Sequence, residues 1–93
     1  MTREQITQKI FEIFQREFEI VNPGLEDDLR ETFGFDSVDA IELLLEIERL
    51  LNLELTHEEK KMAMEIRNIR QIIDYVEIMA KKGIFDEKSR DMQ

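Results

Sequence analysis

Residues 34–52 read GFDSVDAIELLLEIERLLN, and this stretch decides both the fold class and the place where chemistry can occur. Advanced by about 100° per residue from Ser37, it sorts into three strips of a helix. Ala40, Leu44, Ile47 and Leu51 gather on one side, with Leu43 at its edge; this side is expected to face a core. Asp39, Glu42, Glu46 and Arg49 gather opposite and are expected to face water. Val38, Ile41 and Leu45 form a third strip, bordered by acids that include Glu48. An apolar strip off the core centre admits two readings: a protein-docking surface, or a wide core face under the preceding loop. The acid row alone is what a solvated face looks like. Glu42 and Glu46, four apart, repel by about 0.2–0.5 kcal/mol.

The start of this helix carries the chemistry. Asp36 is placed to cap it, with Asp39 three residues on. Ser37 then falls in the first turn, where backbone N–H groups lack intrahelical partners and the dipole is positive. An anionic ester on that hydroxyl would be well tolerated. Gly34 lets the chain turn tightly just before it. From residue type and position alone, Ser37 is equally an ordinary helix-start serine. A nucleophilic role is disfavoured, because it needs a neighbouring base and an oxyanion site. The single histidine, His57, opens a different helix, and the surroundings are not G-x-S-x-G.

Outward from this segment the chain reads as helices throughout. Ile6, Ile10, Ile13, Phe14 and Phe18 recur at helical spacing from about Arg3 to Glu19, with Thr2 and Gln5 as a capping pair. Pro23-Gly24 opens a long connection to Asp36, expected to be pinned to the core by Leu25, Leu29, Phe33 and Phe35. A short third helix is expected from His57 to Met64 behind a Thr56 cap with Glu59. A fourth runs from about Asn68 to Lys82, with Ile69, Ile72, Ile73, Val76 and Ala80 inward. Lys81 and Lys82 suit its negative end, and Gly83 is the expected terminator. Met62, Met64 and Met79 read as core filling, Tyr75 as core with a satisfied hydroxyl, and His57 as a surface residue. No segment alternates with period two. The fold class is therefore all-α: a four-helix bundle with a short third helix and a long loop between helices 1 and 2. Residues 1–85 form one domain, and 86–93 read as a flexible C-terminal tail.

Composition narrows the function. Twenty-two acids against 13 bases give a net charge of −9, which disfavours nucleic acid and anionic membranes and favours basic protein surfaces. The absence of cysteine and the lone histidine exclude disulfides, thiolate catalysis and zinc–thiolate sites. No stretch approaches the roughly 20 apolar residues of a membrane span, so no stable membrane insertion is expected. MTREQITQKI has no apolar signal core. A cytoplasmic monomer is the expectation.

The run LRETFGFDSVDAIEL over residues 29–43 resembles the attachment motif of acyl carrier proteins, whose members commonly show Leu-Gly-x-Asp-Ser-Leu before an acidic, leucine-rich helix. Leu53-Glu54-Leu55 and residues 69–76, IRQIIDYV, extend the resemblance across about residues 3–82. It implies that a phosphopantetheinyl transferase esterifies Ser37 with 4′-phosphopantetheine from coenzyme A, using magnesium, with Asp36 and Gly34 shaping the site. It implies that the chain catalyses nothing. It would carry acyl intermediates as thioesters to enzymes of fatty-acid, lipid or polyketide-type biosynthesis. Acyl-transferring and chain-elongating partners would dock basic patches on Asp36, Asp39, Glu42, Glu46 and Glu48, with Val38, Ile41 and Leu45 in apolar contact, and the bundle would open to sequester cargo. Phe33 and Val38 where leucines are usual, Arg49-Leu50 in a region often acidic, and the long KKMAME segment suggest a specialised member. Two alternatives stay open: an unmodified helical interaction module, and an aminoacyl or peptidyl carrier.

Overall fold

The computed structural model describes the backbone of residues 1–91 and the side chains of residues 1–82. Five helices follow one another: α1 (Arg3–Phe18), α2 (Leu29–Phe33), α3 (Ser37–Leu51), α4 (His57–Ala63) and α5 (Ile69–Asp91). There is no strand among the described residues. None of their helices is long and apolar enough to cross a membrane.

Each start expected from the sequence is built by reciprocal caps. Thr2 and Gln5 close a box at α1, Asp36 and Asp39 at α3, and Thr56 and Glu59 at α4. Each box satisfies two amides that a helix start would otherwise leave open. At α5, Asn68 Oδ1 accepts from the Gln71 N–H at 2.9 Å, and Gln71 Oε1 accepts from the N–H groups of Asn68 and Arg67. The stops are left-handed residues, Glu19 after α1 and Asn52 after α3. The amides of Ile20 and Leu53 then reach back to Phe14 O and Glu48 O, which satisfies carbonyls of the last turn.

The main seam of the core lies between α1 and α5. Ile6, Ile10, Ile13 and Phe14 meet Ile69, Ile72, Ile73 and Val76, all of them buried. Leu43, Leu44 and Ile47 of α3 close a third side. Tyr75 is buried, and its hydroxyl donates to Glu59 O at 2.6 Å, tying α4 to α5. Burial pushes that phenol up to about 12, with the charges of Glu59 and Glu48 adding to the effect. Glu59 is itself buried and paired with Lys82. Burial alone would raise its carboxyl, but hydrogen bonds from Lys82 and Thr56 outweigh it and hold the group below its usual range.

Several expectations are corrected here. The long connection contains a helix of its own, α2. Asp28 caps it by accepting the N–H groups of Arg30 and Glu31, so an Asx cap supplied the start that apolar periodicity could not show in five residues. Leu29 and Phe35 pin this connection and Phe33 packs partly against the core, but Leu25 is largely exposed. The connection is held there by backbone: Leu29 N–H reaches Arg67 O, and Arg70 N–H reaches Leu25 O. Met79 is core as expected, whereas Met62 and Met64 are exposed, because α4 is only seven residues long and turns one face inward. The last helix continues through Gly83 to Asp91 rather than stopping there: the roughly 1 kcal/mol cost of a helical glycine is too small to end a helix alone. Of the C-terminal tail expected over residues 86–93, the side chains, and residues 92 and 93 entirely, lie outside the described residues.

Candidate functional site

Ser37 is the first residue of α3 and is exposed. Two anchors fix it. Upstream, Phe35 is buried among Phe14 and Phe18, with ring centroids 5.8 Å and 5.3 Å away. Between them, Asp36 Oδ1 accepts the Asp39 N–H at 3.0 Å, and Asp39 Oδ2 accepts the Asp36 N–H at 3.1 Å. The serine hydroxyl makes no hydrogen bond among the described residues, so nothing must be broken for it to react. Gly34 ends α2 with φ +67°, donating to Arg30 O while the Phe35 N–H donates to Leu29 O. A Cβ at Gly34 would meet nothing within 4 Å. The glycine is therefore there for its left-handed backbone and not for want of space.

The third strip of the helix wheel is open. Val38, Ile41 and Leu45 are 71%, 55% and 45% exposed, so the reading as core under the loop is set aside. Asp36 and Glu42 are exposed and Asp39 is half-buried beside them. Glu46 is not on that surface. It is buried, bridging Arg16 of α1 and Arg49, whose Nη1 lies 2.7 Å from its Oε2. The wheel assigned it to water because a single helix cannot show that α1 crosses there. Glu48 is half-buried, and its Oε2 accepts the Leu55 N–H at 2.8 Å, which sets the turn from α3 into α4. Of the five acids read from the sequence as docking groups, four thus have structural partners, Asp36 and Asp39 in each other's amides and Glu46 and Glu48 as just described; Glu42 has none among the described residues.

Beneath α3, enclosed by α2, α3, the α4–α5 connection and α5, a cavity of about 30 Å³ is lined chiefly by Leu29, Phe35, Leu43, Ile47, Ile66 and Ile72. Asp36, the neighbour of Ser37, also lines it, as does Arg30. Between α3 and α4, facing outward, lies a shallow groove of about 370 Å³, which includes Ile41, Leu45, Lys60, Lys61 and Met64. The KKMAME segment stands out in the sequence only for its length; that its two lysines rim a groove depends on how α4 packs against α3.

Residues 8–76 match the family model for the phosphopantetheine attachment site, a span that contains Ser37 and both of its anchors. The acyl carrier protein of Phytoplasma mali (strain AT) is 35% identical over 74 residues, covering 77% of this chain and 84% of that protein. The acyl carrier protein of Rubrobacter xylanophilus is 36% identical over 80 residues, covering 82% of this chain and 93% of its own. The mitochondrial acyl carrier protein of Saccharomyces cerevisiae is 26% identical over 82 residues, which cover 63% of its length. With the attachment-site model spanning most of the bundle and relatives aligned along most of their own lengths, this chain belongs to the acyl carrier protein family.

Proposed function

We propose that Ser37 is the hydroxyl to which a phosphopantetheinyl transferase attaches 4′-phosphopantetheine from coenzyme A, and that Asp36, Asp39, Glu42, Val38, Ile41 and Leu45 are the surface on which partner enzymes land. One observation carries this reading: the matched attachment span presents an exposed serine at the first position of α3. The residues fit the group. The hydroxyl is unencumbered, the first-turn amides of Ser37 and Val38 have no intrahelical acceptor, and no bulky core side chain has to move for the ester to form. When bound, the arm supplies a terminal thiol that holds acyl groups as thioesters. The chain itself is a non-catalytic carrier, as its family is.

The mostly apolar lining of the cavity beneath α3 favours acyl cargo over aminoacyl cargo. At about 30 Å³ the cavity holds no more than a water, so sheltering a chain would require the bundle to open around α3. We assign the carrier domain to residues 1–85. The net charge of −9 suits basic docking patches on acyl-transferring and chain-elongating enzymes of fatty-acid or related biosynthesis. Monomeric, cytoplasmic operation completes the proposal.

The test is intact mass after incubation with a phosphopantetheinyl transferase, coenzyme A and magnesium. Wild type should gain one phosphopantetheine, and Ser37→Ala, with unchanged helical content, should gain none. No gain in wild type, or a gain that persists in the variant, rejects the assignment. Partner binding that ignores both modification and Ser37→Ala would favour the unmodified interaction module.

A further inference from the structure

The surface beside Ser37 is not uniformly acidic. Going around from α3 to α4, it presents carboxylates at Asp36, Asp39 and Glu42, then the apolar strip, then a basic edge at His57, Lys60 and Lys61 across the groove. Lys60 and Lys61 are exposed and have no ion pair among the described residues. The one carboxylate that also lines the groove, Glu48, already holds the Leu55 N–H. The groove floor is apolar: Ile41, Leu44, Leu45 and Met64, with Met64 37% exposed. A chain with nine excess negative charges thus keeps two unneutralised cations at the far rim of an apolar surface groove.

A uniformly basic partner patch would fit the acidic side and collide with this rim. Like charges set opposite one another cost affinity and reject partners, while complementary ones fix register. We propose that the α3–α4 groove takes a protein segment of mixed charge: an amphipathic helix with an apolar side chain seated on Leu45 and Met64, cations toward Asp39 and Glu42, and carboxylates toward Lys60 and Lys61. The lysine rim then decides which partners a carrier of this type accepts. This rests on the docking surface proposed above and adds the chemistry of what docks there. A lipid surface is the poorer occupant, because the remaining surface repels anionic headgroups. A second copy of the chain is the other candidate, since it carries both charges itself.

The probes are three synthetic helical peptides with a common spacing of leucines at i, i+4 and i+7. One carries lysine along one flank and glutamate along the other. A second carries lysine along both flanks, and a third has serine in place of the leucines. Binding to the isotope-labelled full chain is read by fluorescence anisotropy and by NMR shifts. The mixed peptide should bind about ten-fold tighter than the all-lysine peptide, a difference of about 1.4 kcal/mol, and should shift Ile41, Leu45 and Met64. The serine peptide should not bind. Lys60→Glu with Lys61→Glu should invert the ranking, and Lys60→Gln with Lys61→Gln should level it. These side chains are exposed, so folding is checked simply by an unchanged thermal midpoint. The proposal is overturned by equal or tighter binding of the all-lysine peptide to wild type, by a ranking indifferent to charge reversal, or by shifts on α1 and α5 instead. Self-association that vanishes on charge reversal, without peptide preference, would assign the groove to a second copy and also overturn it. Ser37 modification, weighed on the same samples, reports separately on the carrier reading, so either can fail alone.

Discussion

The α1–α5 seam and the α3–α4 seam are built on different terms. Along the first, Ile6, Ile10 and Phe14 interleave with Ile69, Ile72 and Val76, and none of the six is more than 1% exposed. Along the second lies an open groove. Helix α4, at seven residues, commits little apolar surface to the bundle. It is held instead by polar ties: the Tyr75 hydroxyl on Glu59 O, the Glu59–Lys82 pair, and the Glu48 carboxylate on the Leu55 amide. Dense apolar packing resists small displacements, whereas a few hydrogen bonds at a seam can be exchanged with water at modest cost. The closed seam gives Ser37 a fixed platform through Phe35, and the open seam lies beside it where cargo and partners would be met.

The largest effect should come from breaking the closed seam. Phe14 is fully buried and touches both Phe18 and Phe35. Phe14→Ala should cost about 3–5 kcal/mol. That is a large share of the roughly 5–15 kcal/mol that holds a domain together. Met64→Ala, across the open seam, should cost about 1 kcal/mol or less. Urea midpoints of the two variants measure the contrast directly. Comparable losses would show that both seams are packed alike and would remove the distinction drawn above.

A smaller effect tests the polar ties. Tyr75→Phe removes the hydroxyl on Glu59 O and should cost about 0.5–1.5 kcal/mol, with faster amide exchange in α4 than in α1. The same tyrosine sets an alkaline signature. Its phenol rises from 10.0 in the unfolded chain to about 12 in the fold. Below pH 10 both states keep the proton and its contribution is complete. Between pH 10 and about 12 the unfolded chain releases the proton while the fold retains it, so stability falls as pH rises. The difference between wild type and Tyr75→Phe should therefore shrink across that interval. A constant difference would mean that the phenol is not held as the geometry indicates.

How much of this was legible beforehand follows the same division. The caps at Thr2, Asp36 and Thr56 and the inward stripes of α1, α3 and α5 are local patterns, and they could be read from residue spacing. So could Ser37 as the first residue of a helix. What could not be read depends on a second element. Glu46 looks solvated until Arg16 of α1 is laid beside it, and Met62 and Met64 look like core until α4 proves too short to bury both faces. The lysine rim has meaning only once Lys60 and Lys61 stand across a groove from Ile41 and Leu45. Helix α2 was hidden for another reason: five residues cannot show a period, and its start rests on the Asp28 side chain.

The smallest change in stability belongs to the strip itself. Leu45 is 45% exposed on α3, so Leu45→Ser removes little buried area and loses only about 0.5 kcal/mol in helix preference. Its thermal midpoint should stay close to that of wild type. Its rate of Ser37 modification at limiting transferase should nevertheless fall about ten-fold, the consequence of removing one apolar anchor worth about 1.4 kcal/mol from a docking patch. Stability and docking would then separate at a single residue. The opposite pattern, a destabilised variant modified at the normal rate, would return Leu45 to the core and leave the carboxylates at Asp36, Asp39 and Glu42 as the whole landing surface.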